Sequence, residues 1–185
     1  GPVSDSWRLD ARGRDVVLRR DRPIARLLGV NRAREAAAQA LAHEAGLAAP
    51  VLHHDGEHGV LVTGWIDVAT VVTLPPRSPA CWRHLGGILA AVHRTPAPGI
   101  AALDVVADAR RYARVADRPE AEVLADTVAE RALRLPLDDF DCLCHNDAHL
   151  GNVVGDRLLD WEYAATGHPL FDLAVVAGFH DLDAA

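Results

Sequence analysis

Apolar positions along this chain fall into two regimes. Up to residue 66 they come in short runs, Trp7 with Leu9, Val16-Val17-Leu18, Val51-Leu52 and Val60-Leu61-Val62, parted by turn residues such as Ala11-Arg12-Gly13 and His53-His54-Asp55-Gly56. Such runs predict strands of a small antiparallel sheet, the first two joined as a hairpin around Gly13. Between the second and third strands, Ala37, Ala40 and Leu41 recur at helical spacing. They predict one helix over 31–45, capped by Asn31 and stopped by Gly46. After Pro75-Pro76 the period lengthens. Trp82, Leu85, Leu89 and Val92 share one face of a helix over 81–93, closed by His93 as a helix-end cap. Residues 100–135 are Ala-, Arg- and Glu-rich and read as helices with solvated charged faces. Toward the end an apolar strand at 142–144 leads into a polar loop. A short strand pair turned at Gly155-Asp156 follows, and a buried helix begins at 171. The outline is α+β: a small sheet with one helix, then a mainly helical part.

Composition narrows the class. At 185 residues the chain can bury a real core as one domain, or as one domain in two lobes. No segment approaches a membrane span and no signal-peptide pattern opens the chain, so a soluble, cytoplasmic protein is expected. Cys81, Cys142 and Cys144 form no disulfide framework on this reading, and the last two read as small apolar side chains on a buried strand. A net charge of −7 argues against a nucleic-acid surface and is compatible with a cationic substrate. All 19 basic residues are Arg, so any cationic contact to phosphate comes from a guanidinium. His53, His54 and His58 read as a solvated turn rather than a metal cluster.

The candidate chemistry sits in 141–172. His145-x-Asp147-x4-Asn152 is followed eight residues later by Asp160. This is the order a phosphoryl-transfer site needs: one carboxylate for the proton of the attacking hydroxyl, then an amide and a second carboxylate for magnesium. The strand at Leu158-Leu159 is expected to set Asp160 opposite Asn152. Any one of these residues alone would read as a turn or a cap; the ordered set of four reads as a site. A rival, a metal-dependent phosphoesterase built on His145, Asp147 and His149, lacks the further carboxylate and histidine motifs it needs.

His145-Asn146-Asp147 with Asn152, then Leu159-Asp160-Trp161-Glu162-Tyr163-Ala164 and Asp172, resemble the aminoglycoside phosphotransferase and choline kinase superfamily. Leu27-Gly29-Val30-Asn31-Arg32 is most similar to its bacterial thiamine kinase and choline kinase branch. The resemblance implies a protein-kinase-like fold in two lobes, 1–67 and 68–185, with both ends shorter than in relatives. It implies ATP and Mg2+ as cofactors and a small, cationic alcohol as acceptor, thiamine first, then choline or ethanolamine. An aminoglycoside acceptor and a non-catalytic kinase-like domain are the alternatives. By the same resemblance Asp147 is the base, His145 braces its loop, Asn152 and Asp160 hold the metal, and Asp172 supports the loop from below. Gly1 to Ser6 resembles only the second half of the family's phosphate-covering loop, with Ser4 and Ser6 its candidate phosphate contacts. Arg19, with Arg20 the other candidate, contacts the phosphates and pairs with Glu35. Gly64, Trp65 and Ile66 take the place of the adenine-binding hinge. Glu162 assists at the metal or faces the acceptor, and Trp161, Tyr163 and Trp65 are candidates to stack on its cation.

Overall fold

The computed structural model describes residues 2–67, 78–135 and 142–182. Gly1, the expected lobe junction at 68, Pro75-Pro76 and Asp141 lie outside the described residues. A four-stranded antiparallel sheet is built from β1 (Ser4–Asp10), β2 (Asp15–Asp21), β3 (Val51–Asp55) and β4 (Val60–Gly64), in the order β1-β2-β4-β3. The first hairpin turns through Arg12 and Gly13, both at positive φ, where glycine carries no steric penalty. Its strands are longer than the apolar runs. Ser4 pairs with Asp21 and Ser6 with Arg19, so these serines lie in a strand and not in a loop. His53 and His54 also fall inside a strand, on the exposed edge β3, rather than in the turn that follows.

A short helix α1 (Pro23–Leu27), unexpected from the sequence, starts on a proline at its first position. Helix α2 (Arg32–Glu44) begins where Asn31 predicts: the Asn31 side chain accepts the Arg34 N–H at 3.0 Å. Gly46, at φ +79°, ends it.

The rest is mainly helical: α3 (Pro79–Val92), α4 (Val105–Ala116), α5 (Pro119–Ala132) and α6 (Leu170–Phe179). Two small ladders interrupt it. The first pairs β5 (Cys142–Cys144) with β8 (Ala165–Gly167), and the second is the predicted hairpin of β6 (Val153–Val154) with β7 (Arg157–Leu158). α6 buries Asp172 and Val176 but leaves Leu170, Leu173 and Phe179 open, so it is only half the buried helix expected. Among the described residues no helix is long and apolar enough to cross a membrane.

One apolar cluster runs through the molecule. It joins Ala38 and Ala42 of α2 to Leu85, Leu89 and Val92 of α3, Leu143 of β5, Leu158 of β7 and Val176 of α6. Each fully buried leucine contributes roughly 1.5–3 kcal/mol. Leu158 N–H donates to the Leu47 carbonyl at 2.9 Å, pinning β7 to the end of α2. The sheet and the helical part therefore meet at α2 and the β6–β7 hairpin, where the polar motif lies.

Candidate active site

Strand β2, interior to the sheet, carries Arg19 between Ser6 of β1 and Leu61 of β4. Its Nη1 donates to Glu35 Oε1 of α2 and to Asp160 Oδ1, both at 2.8 Å. Burial opposes the guanidinium charge, but the Asp160 and Glu35 carboxylates outweigh it and hold the pKa above its ordinary value. Arg32, 2% exposed, sits behind and bonds Asp21, Glu35 and, at 3.3 Å, Glu162. Two guanidiniums thus face four carboxylates, Asp21, Glu35, Asp160 and Glu162. Burial raises the Glu35 pKa against the pull of both arginines. Burial, then the Asp160 charge, pushes Glu162 up to about 7. The excess of negative charge suits a divalent cation at the exposed edge of the cluster, where the Asp160 side chain is 32% accessible.

Asp160 has φ +65° and Asn146 φ +63°, a left-handed backbone that Asn and Asp tolerate better than other non-glycine residues. Asp172, wholly buried, explains how Asn146 is held. Its Oδ1 accepts the Asn146 N–H at 2.6 Å, and its Oδ2 accepts the His145 N–H at 3.0 Å and His93 Nε2 at 2.9 Å. His93 is therefore more than the helix-end cap expected. Its partner, 79 residues on, is invisible to local pattern. His145 is also buried; its Nδ1 accepts the Asp147 N–H, which leaves Nε2 to donate to the Leu159 carbonyl at 2.9 Å. Burial lowers its pKa, so the ring stays neutral and braces the loop without facing the cleft.

On this loop Asp147 is partly open, its side chain 30% exposed, and burial raises its pKa. Asn152 Nδ2 donates to the Asp147 carbonyl at 2.9 Å and to its Oδ2 at 3.0 Å. Because both acceptors are oxygens, the Asn152 amide oxygen is the atom left for a metal. Leu159, rather than Asp160, stands opposite Asn152: its N–H donates to the Asn152 carbonyl at 2.8 Å. Asp160 comes one residue later, where the chain twists into the left-handed region.

A cleft of about 300 Å³ opens between the sheet and the hairpin. Ser6, Arg19, Glu35, Gly64, Trp65, Ile66 and Asp160 line it, joined by apolar Val17, Leu61 and Leu158. Asp147, His145 and Asn152 lie beyond its end, linked to it by Leu159, which bonds both His145 and Asn152. Gly64 admits no side chain, since a Cβ would stand 2.8 Å from Pro50 Cγ. The Gly64 and Trp65 N–H groups are occupied by the Pro50 and Asp15 carbonyls. Arg20, on the outer side of β2, is exposed and off the cleft.

Three expectations need correction. Ser4 is 7% exposed and does not reach the cleft, because pairing with Asp21 turns it inward. Trp161 is 0% exposed; its Nε1 donates to the Leu158 carbonyl and its ring meets His145 edge-on, so no ligand can stack on it. The Glu162 carboxylate is taken up by the arginine cluster, 3.3 Å from Arg32, and so is not free for an acceptor, although the residue also borders the recess at Tyr163. Tyr163 does border a shallow recess, with Tyr112 and Arg34. Trp65 carries the Arg8 guanidinium 4.4 Å over its ring, so the cation it meets is the protein's own. Among the described residues the group able to close on a metal is His93, Cys144 and Asp172. Its carboxylate is filled by three donors, and burial raises the Cys144 thiol pKa, so the group holds hydrogen bonds instead.

Residues 3–185 match the phosphotransferase enzyme family, and the chain belongs to it. Among solved structures it is similar to a choline kinase from Streptococcus pneumoniae, with TM-score 0.74 and 18% identity over 97% of this chain and 66% of that one. It is also similar to a choline/ethanolamine kinase family protein from Mesorhizobium loti, with TM-score 0.64 and 25% identity over 97% and 65%. A spectinomycin phosphotransferase solved with ADP and spectinomycin has TM-score 0.63 and 16% identity over 95% and 65%. These neighbours establish the protein-kinase-like α+β fold. The chain spans just under two thirds of their length. No curated protein matches it.

Proposed function

We propose that this chain is an ATP-dependent phosphotransferase acting on the hydroxyl of a small, cationic alcohol. One observation carries the reading. Asp147 has Oδ2 engaged by Asn152 and lies beyond the end of a cleft that Arg19 and Asp160 line. The lobes are 1–67, which receives the nucleotide, and 68–185, which carries the loop. Adenine lies against Gly64-Trp65-Ile66, and the phosphates run past Ser6 toward Arg19, which Glu35 keeps in place. Asn152, through its amide oxygen, and Asp160 would hold Mg2+, with Glu162 adding charge behind them. When bound, Mg2+ would supply positive charge against the transferring phosphate. Asp147 orients the acceptor hydroxyl and takes its proton, while His145 and Asp172 fix the loop.

For the acceptor, the 27–32 resemblance puts thiamine first, then choline and ethanolamine; the net charge of −7 favours a cation over a neutral alcohol. Tyr163 and Tyr112, beside Glu162, are the side chains placed to meet that cation. An aminoglycoside is the alternative acceptor. An ATP-dependent transfer suits the cytoplasm.

The test is ADP release with magnesium-ATP and a panel of thiamine, choline, ethanolamine and aminoglycosides, run beside Asp147→Asn. The variant should lose at least about a hundredfold in kcat while magnesium-ATP still raises its melting temperature. Undiminished turnover in Asp147→Asn rejects the role. Nucleotide binding without turnover of any acceptor would favour a non-catalytic domain.

A further inference from the structure

The function above uses Asp147 and Asn152 and leaves His149 without a task, although the fold builds a seat for it. His149 precedes the 3-10 turn at Leu150–Asn152, and its Nδ1 accepts the Gly151 N–H at 3.0 Å. An accepting Nδ1 puts the ring proton on Nε2. That Nε2 lies 3.8 Å from Asp147 Oδ2, the same oxygen that receives Asn152 Nδ2. The ring lies flat against Phe179 of α6, centroids 4.0 Å apart and planes within 6°. Only 16% of the side chain is exposed. Gly151 completes the seat: a Cβ there would stand 2.8 Å from His149 Cε1, so any side chain displaces the ring. His180, just past α6, holds the same turn, its Nε2 accepting the Leu150 N–H at 3.1 Å.

We infer that His149 is a positioning residue for Asp147, an inference that rests on the phosphotransferase reading. With Asn152 it engages Oδ2 and leaves Oδ1 as the atom that takes the acceptor proton. Donors converging on one oxygen fix the rotation of the carboxylate, so the free oxygen keeps one direction. In the transfer, the hydroxyl O–H bond breaks toward Oδ1 as the new O–P bond forms. The bond from the γ-phosphorus to its bridging oxygen breaks and ADP leaves. His149 neither gains nor loses a proton. At 3.8 Å the contact is a charge–dipole attraction, and a movement of about 1 Å makes it a hydrogen bond, as catalytic contacts do when substrate loads.

Two replacements separate the donor from the ring. His149→Phe keeps the stack on Phe179 and removes the donor; His149→Gln keeps a donor. With magnesium-ATP and the best acceptor of the panel, His149→Phe should lower kcat about tenfold. KM for ATP should stay within about twofold, and the protein should stay folded although the cap on the Gly151 N–H is lost. His149→Gln should recover most of the loss, and Gly151→Ala, which pushes the ring aside, should resemble His149→Phe. Full turnover in His149→Phe, or equal losses in His149→Phe and His149→Gln, overturns the inference. Long-range proton–nitrogen correlation spectra of the ring give a reading independent of turnover. A proton on Nε2, with a signal that moves in Asp147→Asn, is expected; a proton on Nδ1 or an unmoved signal overturns the inference. Wild-type protein that turns over no acceptor, yet shows the expected ring signals, counts against the phosphotransferase reading and for the seat.

Discussion

Around Arg32 the chain buries charge, whereas around Asp172 it buries hydrogen bonds, and the two clusters hold the site from opposite sides. In the first, Arg19 and Arg32 tie β2 and α2 to the segment of Asp160 and Glu162 through side chains alone. In the second, one carboxylate receives two backbone N–H groups and one imidazole, so the main chain of the catalytic loop is gripped directly. A side-chain ion cluster can rearrange when a cation or phosphate enters, because Arg19 can exchange Asp160 for another anion. A backbone grip has no such freedom. The side of the site at Arg19 is therefore ionic and free to respond to a ligand, and the side that holds the loop of Asp147 is not.

The contrast can be broken most heavily at Glu35. Glu35→Leu removes the buried carboxylate that Arg19 and Arg32 share and should cost about 4 kcal/mol in urea unfolding, the loss typical when one partner of a buried ion pair is removed. A cost near zero would mean the cluster is solvated. Next comes pH. Glu162 is raised to about 7 from an ordinary 4.5, so the folded state binds its proton more tightly than the unfolded one. Its contribution is therefore greatest when protonated and is lost as pH rises from about 4.5 to about 7, a span worth roughly 3 kcal/mol. Glu162→Gln should flatten that limb of the unfolding curve relative to wild type, and an unchanged slope would assign it to another group. Smallest is Asp172→Asn, which keeps one acceptor and sets an amide NH2 against the donors at Oδ2. It should cost about 2 kcal/mol.

The same contrast explains what the sequence could show. The Arg19–Glu35 pair was legible because a strand-end cation and an acid in the next helix's first turns are local signals, and Asn31 marked where that helix starts. The order His145, Asp147, Asn152, Asp160 was legible because a chemical requirement fixes residue types. Which side of the backbone each residue faces was not. Trp161 looks like a stacking aromatic until its indole proves to cap the Leu158 carbonyl inside the core. Ser4 looks like loop until pairing with Asp21 draws it into β1. The one-residue offset from Asn152 follows from the register of the hairpin, which pairs Val153 with Leu158, and Asp160 comes after the pairing ends, with its backbone in the left-handed region. His93 reads as a cap because its partner Asp172 lies 79 residues on, and His149, weighed only in the phosphoesterase rival, stacks on Phe179 of a helix that no local window contains.

Arg19 also decides how the protein can be labelled. The chain contains no lysine, so no side chain offers a primary amine in the cleft or anywhere else. Acyl-phosphate nucleotide reagents, which capture kinases by acylating an amine beside the phosphates, will find nothing there to acylate. A dicarbonyl reagent that condenses with guanidines is the chemistry this cleft admits.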